Sequence, residues 1–308
     1  MLSKLINLLC GRRNSGDSVS NDDRLTTMRY ELDYLQLEVS RLRSLVRYMA
    51  GASVNDFPIT KLTKDSFSFQ WSDCPDGNWI ETRPELKERE PKLVCQYTGL
   101  SRDWFEGKSV LDAGCGSGRF SWAMASMGAK VTAFDQSKSG VQHTKNACAS
   151  FGDRVTVFQH DLTKPLDFNQ GFDLVWSFGV LHHTGDTYRA FQNIAKLVSP
   201  GGFMFLMLYG EPEGKDPGEY VYYAEVERLR RRTSAMSFSD RYHYLRELKG
   251  DEVGGWFDAV SPPINDTYSY YEIALWFQQA GFVDLKRTME HSNHFVIARR
   301  AGETPKLS

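Results

Sequence analysis

Cysteine is scarce and unpatterned. The five present, Cys10, Cys74, Cys95, Cys115 and Cys148, are odd in number and share no metal-type spacing. This argues against a disulfide framework and against a structural zinc site. Free thiols suit a reducing cytoplasm. Long hydrophobic runs are also missing: no stretch approaches the ~20 apolar residues of a membrane span. Neither sign of charge dominates, since 37 Lys and Arg face 39 Asp and Glu. The chain therefore lacks the broad basic footprint of a nucleic-acid binder. One local run, Arg228, Arg230, Arg231 and Arg232, is either a solvated helix face or a site for an anion. What remains is ordinary for a soluble globular protein, with 41% hydrophobic and 25% charged residues. At 308 residues it is long enough for one main core with appendages.

The most informative stretch runs from Val110 to Phe120 (VLDAGCGSGRF). It reads as a buried strand, a glycine turn and a helix start. Gly114, Gly116 and Gly118 let the backbone pass close to a ligand. The helix start offers free N–H groups to a polar or anionic one. Asp112, two residues before the first glycine, suits a cationic ligand group such as an ammonium. A dinucleotide fingerprint, G-x-G-x-x-G, would need a third glycine where Arg119 stands.

Two further strands also end in acids. Lys130–Asp135 places Asp135 about 20 residues past the turn, where doubly wound folds hold a ribose diol. A carboxylate can accept from both hydroxyls of a diol, while the plainer role is a turn-forming Asp. Val155–Asp161 ends in Asp161, which could instead cap the following turn. Phe172–Ser177 is a fourth strand, Leu197–Gly202 a helix end with a Pro-Gly-Gly turn, and Phe203–Tyr209 a fifth strand. Phe282–Arg287 and His294–Arg299 supply two more.

The G-x-G-x-G turn, the spaced acids and the Pro-Gly-Gly turn together resemble the class I S-adenosylmethionine (SAM) dependent methyltransferases, in their small-molecule and sugar-type branch. The resemblance covers residues 105 to 210 best. It implies an α/β, Rossmann-like seven-stranded sheet of order 3-2-1-4-5-7-6, with SAM as cofactor. It implies that the glycine loop carries the methionine part of SAM and that Asp112 lies near its amino group. Asp161 would accept from the adenine N6 amine, with Leu162 or His160 lining the ring. Gln136, Ser177 and Trp71 complete the implied cofactor set.

Direct methyl displacement needs alignment of the reacting groups, and a hydroxyl acceptor also needs a base. His182 and His183 follow the fourth strand on the ligand-binding edge of the sheet, and either could serve or merely pack. Gly179 interrupts the metal-binding pattern of some relatives, so no metal is expected. The chain lacks the Asp/Asn-Pro-Pro-aromatic run of adenine methylation and the Pro-Cys of cytosine methylation. The acceptor expected is a small molecule, sugar or lipid-linked glycan, methylated at oxygen, and not nucleic acid. The competing readings are a catalytically inactive scaffold with this fold and, more remotely, an NAD-dependent oxidoreductase.

Around this core the expected divisions are 1–20, 21–51, 52–105, 106–210, 211–281 and 282–308. Leu25, Met28, Leu32, Leu35, Val39, Leu42, Val46 and Met49 hold an a/d heptad register. A coiled coil through residues 24–50 would make a homo-oligomer, and a helix packed on its own domain is the alternative. Met1–Leu9, followed by Arg12 and Arg13, is too short for a signal peptide. It reads as an interfacial helix at the inner face of a membrane or as a frayed terminus. Lys64–Trp71 resembles the segment that covers the SAM pocket in one branch of the family, with Phe69 and Trp71 closing over the cofactor. Residues 211–281 form the acceptor lid, because long inserts on a scaffold usually carry specificity.

Overall fold

The computed structural model describes residues 58–72, 79–212 and 217–302. The heptad segment, the interfacial N-terminus and the oligomer assigned to them lie outside these residues.

Strand β1 (Ser109–Ala113) sends Val110 to one side of a sheet and Leu111 and Ala113 to the other. The same alternation repeats in β2 (Lys130–Asp135), β4 (Phe172–Phe178), β5 (Val198–Leu208) and β7 (His294–Arg300), while β3 (Val155–Gln159) and β6 (Phe282–Arg287) are the more exposed edge strands. Two-residue periodicity with both sets apolar is what a sheet covered on both faces requires. The strand order is β3-β2-β1-β4-β5-β7-β6, as expected, and only β7 is antiparallel to its neighbours.

Helices α1 (Pro58–Ser72) and α2 (Glu85–Thr98) precede the sheet. Helices α3 (Arg119–Ser126), α4 (Lys138–Ala147) and α5 (Thr187–Ala195) connect its parallel strands. One face is sealed by Val94 of α2 and Phe120, Ala123 and Met124 of α3, packed on Trp176 and Phe205. The opposite face is sealed by Phe191 and Ile194 of α5 and by Ile273 and Phe277 of α9 (Tyr270–Gln279). Helix α9 starts where Ser269 and Glu272 form a reciprocal capping box.

Strand β5 departs from expectation. It begins at Val198 and runs through Pro200, Gly201 and Gly202, whereas a turn was expected there. Its pairing with β4 breaks register between Phe172 and Leu174, so the Pro-Gly-Gly unit sits in a bulge at the strand's entrance.

The 211–281 insert carries α6 (Pro217–Thr233), α7 (Phe238–Lys249) and α8 (Val253–Val260). They share a core of their own: Val226, Leu229, Tyr242, Leu245, Val253 and Phe257. Phe69 of α1 packs into it, with ring centroids 5.5 Å from Phe257 and 6.4 Å from Tyr242. No helix among the described residues is long and apolar enough to cross a membrane.

Candidate functional site

A cavity of about 660 Å³ opens at the carboxyl ends of β1, β2 and β4, between the sheet, α1 and the insert. That is where open α/β sheets bind ligands, and the size is that of a small-molecule pocket. Its floor is the glycine turn. Gly116 has φ +51°, and a Cβ there would stand 2.8 Å from the Trp71 ring, so only glycine lets that indole lie on the turn. Gly118 has φ +78°, and a Cβ there would stand 2.7 Å from the Thr144 backbone of α4. It does not line the cavity; its part is to let α3 start tight against α4. Gly114 and Gly116 do line it, with Cys115 between them. Burial pushes the Cys115 thiol well above its ordinary range, and Thr144 donates to its sulfur, so it is filler and not a nucleophile.

Two of the three strand-end acids are almost fully buried. Asp112 accepts from the Ser121 hydroxyl at 2.5 Å, and burial raises its carboxyl to about 7. Asp135 accepts from the N–H of Gly116 at 3.0 Å and of Ser137 at 2.8 Å. Burial raises it too, opposed by those backbone bonds. It thus ties the glycine turn to the start of α4, yet a carboxylate has about four lone-pair directions, and two remain. Asp161 is more committed. Its Oδ1 takes the N–H and hydroxyl of Thr163, and its Oδ2 takes the Lys64 ammonium at 3.0 Å. Burial would raise this carboxyl, but the Thr163 and Lys64 donors outweigh it and hold it low. The turn-capping role weighed for Asp161 is the one the geometry displays. Gln136 and Leu162 line the same end of the cavity.

The histidines separate. Both sit in a short 3-10 turn and are buried, but only His183 lines the cavity. Its Nδ1 lies 2.9 Å from the Ile264 carbonyl. A carbonyl only accepts, so Nδ1 carries the hydrogen and Nε2 keeps its lone pair. Nε2 has no hydrogen-bond partner among the described residues. Burial drives the imidazole below its ordinary pKa, against the opposing pull of Asp258 and the Ile264 bond, so it is neutral near pH 7. His182 stacks on Tyr209 at 3.9 Å and lies against the His183 ring at 4.1 Å, without lining the cavity itself.

Ser177 is likewise not a cavity residue. Its hydroxyl donates to the Ala113 carbonyl at 2.8 Å, between β4 and β1. One step along a strand flips the face, and its neighbours Trp176 and Phe178 line the cavity instead. Of the two aromatics expected to cover the site, Trp71 does so and Phe69 belongs to the core of the insert. Phe67, missed in the sequence, covers His183 at 4.8 Å; it lies four residues before Trp71, on the same helix face. Asp258, also missed, accepts from the Tyr209 hydroxyl at 2.7 Å. No local motif announces that pair, whose members are 49 positions apart. Arg119 lines the cavity too, held by the fully buried Glu90 and lying over the Phe120 ring at 4.1 Å.

Residues 110–202 match a family model described as a methyltransferase domain. The ubiquinone biosynthesis O-methyltransferase of Proteus mirabilis (strain HI4320) is 33% identical over 132 residues, 42% of this chain and 54% of that protein. A protein of the same name from Vibrio cholerae serotype O1 is 35% identical over 132 residues, with the same shares. The chain spans about half the length of the curated relatives it matches. Among solved structures, magnesium protoporphyrin IX methyltransferase (ChlM) from Synechocystis PCC 6803, with bound SAM, has a TM-score of 0.49 at 15% identity, over 81% of this chain and 100% of that one. Residues 110–202 are thus similar to a methyltransferase domain, and they lie within a sheet of order β3-β2-β1-β4-β5-β7-β6.

Proposed function

We propose that this protein is a SAM-dependent O-methyltransferase acting on a hydroxyl of a small molecule, with His183 as the base. One observation carries the reading: the Ile264 carbonyl fixes the His183 tautomer that leaves Nε2 able to accept a proton at the cavity wall. A neutral imidazole suits a phenolic hydroxyl, whose ordinary pKa is about 10 as in tyrosine, far better than an aliphatic alcohol. Phe67 and Tyr209 around the ring keep water from that proton. His182 supports the arrangement by stacking under Tyr209. The names of the relatives, O-methyltransferases of ubiquinone biosynthesis, support an oxygen acceptor.

The residues present fit the cofactor. SAM supplies an activated methyl on a sulfonium when bound. Asp135 would take the ribose hydroxyls on its two spare lone-pair directions. Asp112 is a buried carboxyl that Arg119 and the Ser121 hydroxyl stabilise only in part, and the ammonium of the methionine part would supply a further cation. Gln136 and Leu162 would flank the nucleoside, with Asp161 near the base and Trp71 closing the glycine turn from above.

Asp112 gives this assignment a pH signature. The carboxyl is raised from 3.8 to about 7, so below pH 7 the ligand-free protein holds a proton there. The unfolded chain releases that proton above about pH 4, so this group lowers stability as pH rises from about 4 toward 7. A bound ammonium favours the ionised form, and binding then expels the proton. Affinity for SAM should fall about tenfold between pH 8 and pH 6, and titration calorimetry in buffers of different ionisation heat should detect the proton. The same titrations on Asp112→Asn should give a flat profile; a persisting slope would move the titrating group elsewhere.

Incubation with methyl-labelled SAM and a cell extract fractionated into small-molecule, lipid, glycan, protein and nucleic-acid pools tests the whole reading. Label should enter the small-molecule pool as a methyl ether. Label confined to protein or nucleic acid would overturn it.

A further inference from the structure

The two ends of the cavity differ in charge. The end nearer the sheet mixes acids with Lys64, Arg83 and Arg119. The end formed by the insert carries Asp251, Glu252 and Asp258 and no Lys or Arg. Two cations approach that end from behind without lining it. Arg230 donates to the Ala259 and Pro262 carbonyls and keeps its charge, which is felt by Tyr209, Tyr222 and His183, and Lys249 lies over the Trp256 ring, paired with Glu225. The acids are not the only mark of a ligand here, because the buried Nε2 of His183, without a partner among the described residues, belongs to the same cavity.

The wall between these acids is unusual for a helix. Gly254 and Gly255 fall in the first turn of α8, and both line the cavity. A Cβ at either would meet nothing within 4 Å. Glycine is among the poorest helix formers, and neither position has a positive φ that would require it. Here it leaves a bare backbone surface facing open space, flanked by Trp256 and Tyr222.

We propose that the insert end of the cavity is an acceptor subsite for an uncharged hydroxylated ring, with Gly254 and Gly255 as the slot for its face and Asp258 as the residue that rejects anionic acceptors. This rests on the O-methyltransferase reading and deepens it. The free oxygen of Asp258, whose Oδ2 already takes the Tyr209 hydroxyl, accepts a second hydroxyl of the ring while Nε2 of His183 takes the first. A carboxylate on the ring would meet three acids with no cation in the wall. Like charges juxtaposed in a pocket are strongly disfavoured. Asp251 and Glu252 are exposed at the mouth, so salt screens their share of the repulsion, while the share of the half-buried Asp258 persists.

The test is the affinity of two probes, catechol and 3,4-dihydroxybenzoate, measured by calorimetry on the full chain alone and with saturating demethylated cofactor. Catechol should bind at least about tenfold tighter, still so in 0.5 M salt. In Asp258→Asn the preference should shrink to about threefold or less, with affinity for the demethylated cofactor unchanged. Gly254→Leu, which adds a good helix former over open space, should melt at or above the parent's temperature and still lose catechol binding. Equal affinity of the parent for both probes, no binding of either, an unchanged preference in Asp258→Asn, or full catechol binding by Gly254→Leu would each overturn the subsite. Failure of the cofactor product to bind, with the probe preference intact, would sink the methyl-transfer reading and leave the subsite standing.

Discussion

Asp135→Ala is expected to weaken binding of SAM and of its demethylated product by about 10²- to 10⁴-fold. The estimate rests on two hydrogen bonds from ligand hydroxyls to a charged acceptor, about 1.5–3 kcal/mol each, at 1.4 kcal/mol per decade of affinity. The loss has a second source. The same carboxylate holds the N–H groups of Gly116 and Ser137, and both lose their partner in the alanine variant. A buried donor left unsatisfied costs about 1–3 kcal/mol, so the melting temperature should drop too. Asp135→Asn keeps the volume but only one acceptor oxygen, so it satisfies one of the two N–H groups, sets its NH2 against the other, and should recover part of the stability and little of the affinity. Calorimetric titration alongside a melting curve makes the comparison. An alanine variant whose Kd stays within threefold of the parent would remove Asp135 from the cofactor site.

His183→Ala is expected to lower kcat by about 10²- to 10³-fold, within the range a positioned general base supplies, while the SAM Kd stays within about twofold. The direction follows from geometry. The ring sits at the cavity wall with Nε2 available, and Phe67 and Tyr209 bracket it. The variant should keep its fold, because the only hydrogen bond lost is the one to the Ile264 carbonyl. The pH–rate profile at saturating SAM supplies an independent check. Burial holds the imidazole below the usual histidine range, so kcat should fall at a lower pH than an ordinary histidine base would give. Such a lowered histidine also contributes stability that is complete above its unfolded pKa of about 6.5 and lost as pH falls below it. The His182→Ala counterpart should cost turnover much less, since that ring packs on Tyr209 and His183 without lining the cavity. Equal losses in the two variants would refute the division of roles.

The sheet was legible because each central strand is a run of Val, Leu, Ala and Phe closed by an acid or a turn residue. Asp112 and Asp135 sit at strand ends, where sequence position and ligand edge coincide. Legibility fades where position depends on facing direction. Ser177 lies one step from two cavity residues yet points to the Ala113 carbonyl, and a strand's two-residue period is unforgiving of a shift of one. His182 and His183 differ for the same reason in a tighter turn. The insert was legible as a lid only by its length. Its helices pair aromatics with distant partners, such as Tyr222 with Trp256 and Phe69 with Phe257, and no local pattern marks which ring faces ligand and which faces core. The Tyr209–Asp258 pair is the extreme case, made by tertiary packing alone.

Helix α1 touches every party to the reaction site. Lys64 holds Asp161, Thr63 accepts from the N–H of Ile264, Phe67 covers His183, Phe69 enters the core of the insert and Trp71 lies on Gly116. Ile264 is also the residue whose carbonyl sets the His183 tautomer. One rigid rod is thus a common wall for two adjoining chambers. An occupant of one chamber that orders this wall prepares it for the other, and the two are then heterotropic partners. Thermodynamic linkage makes the benefit mutual: whatever factor the first gives the second in affinity, the second returns to the first.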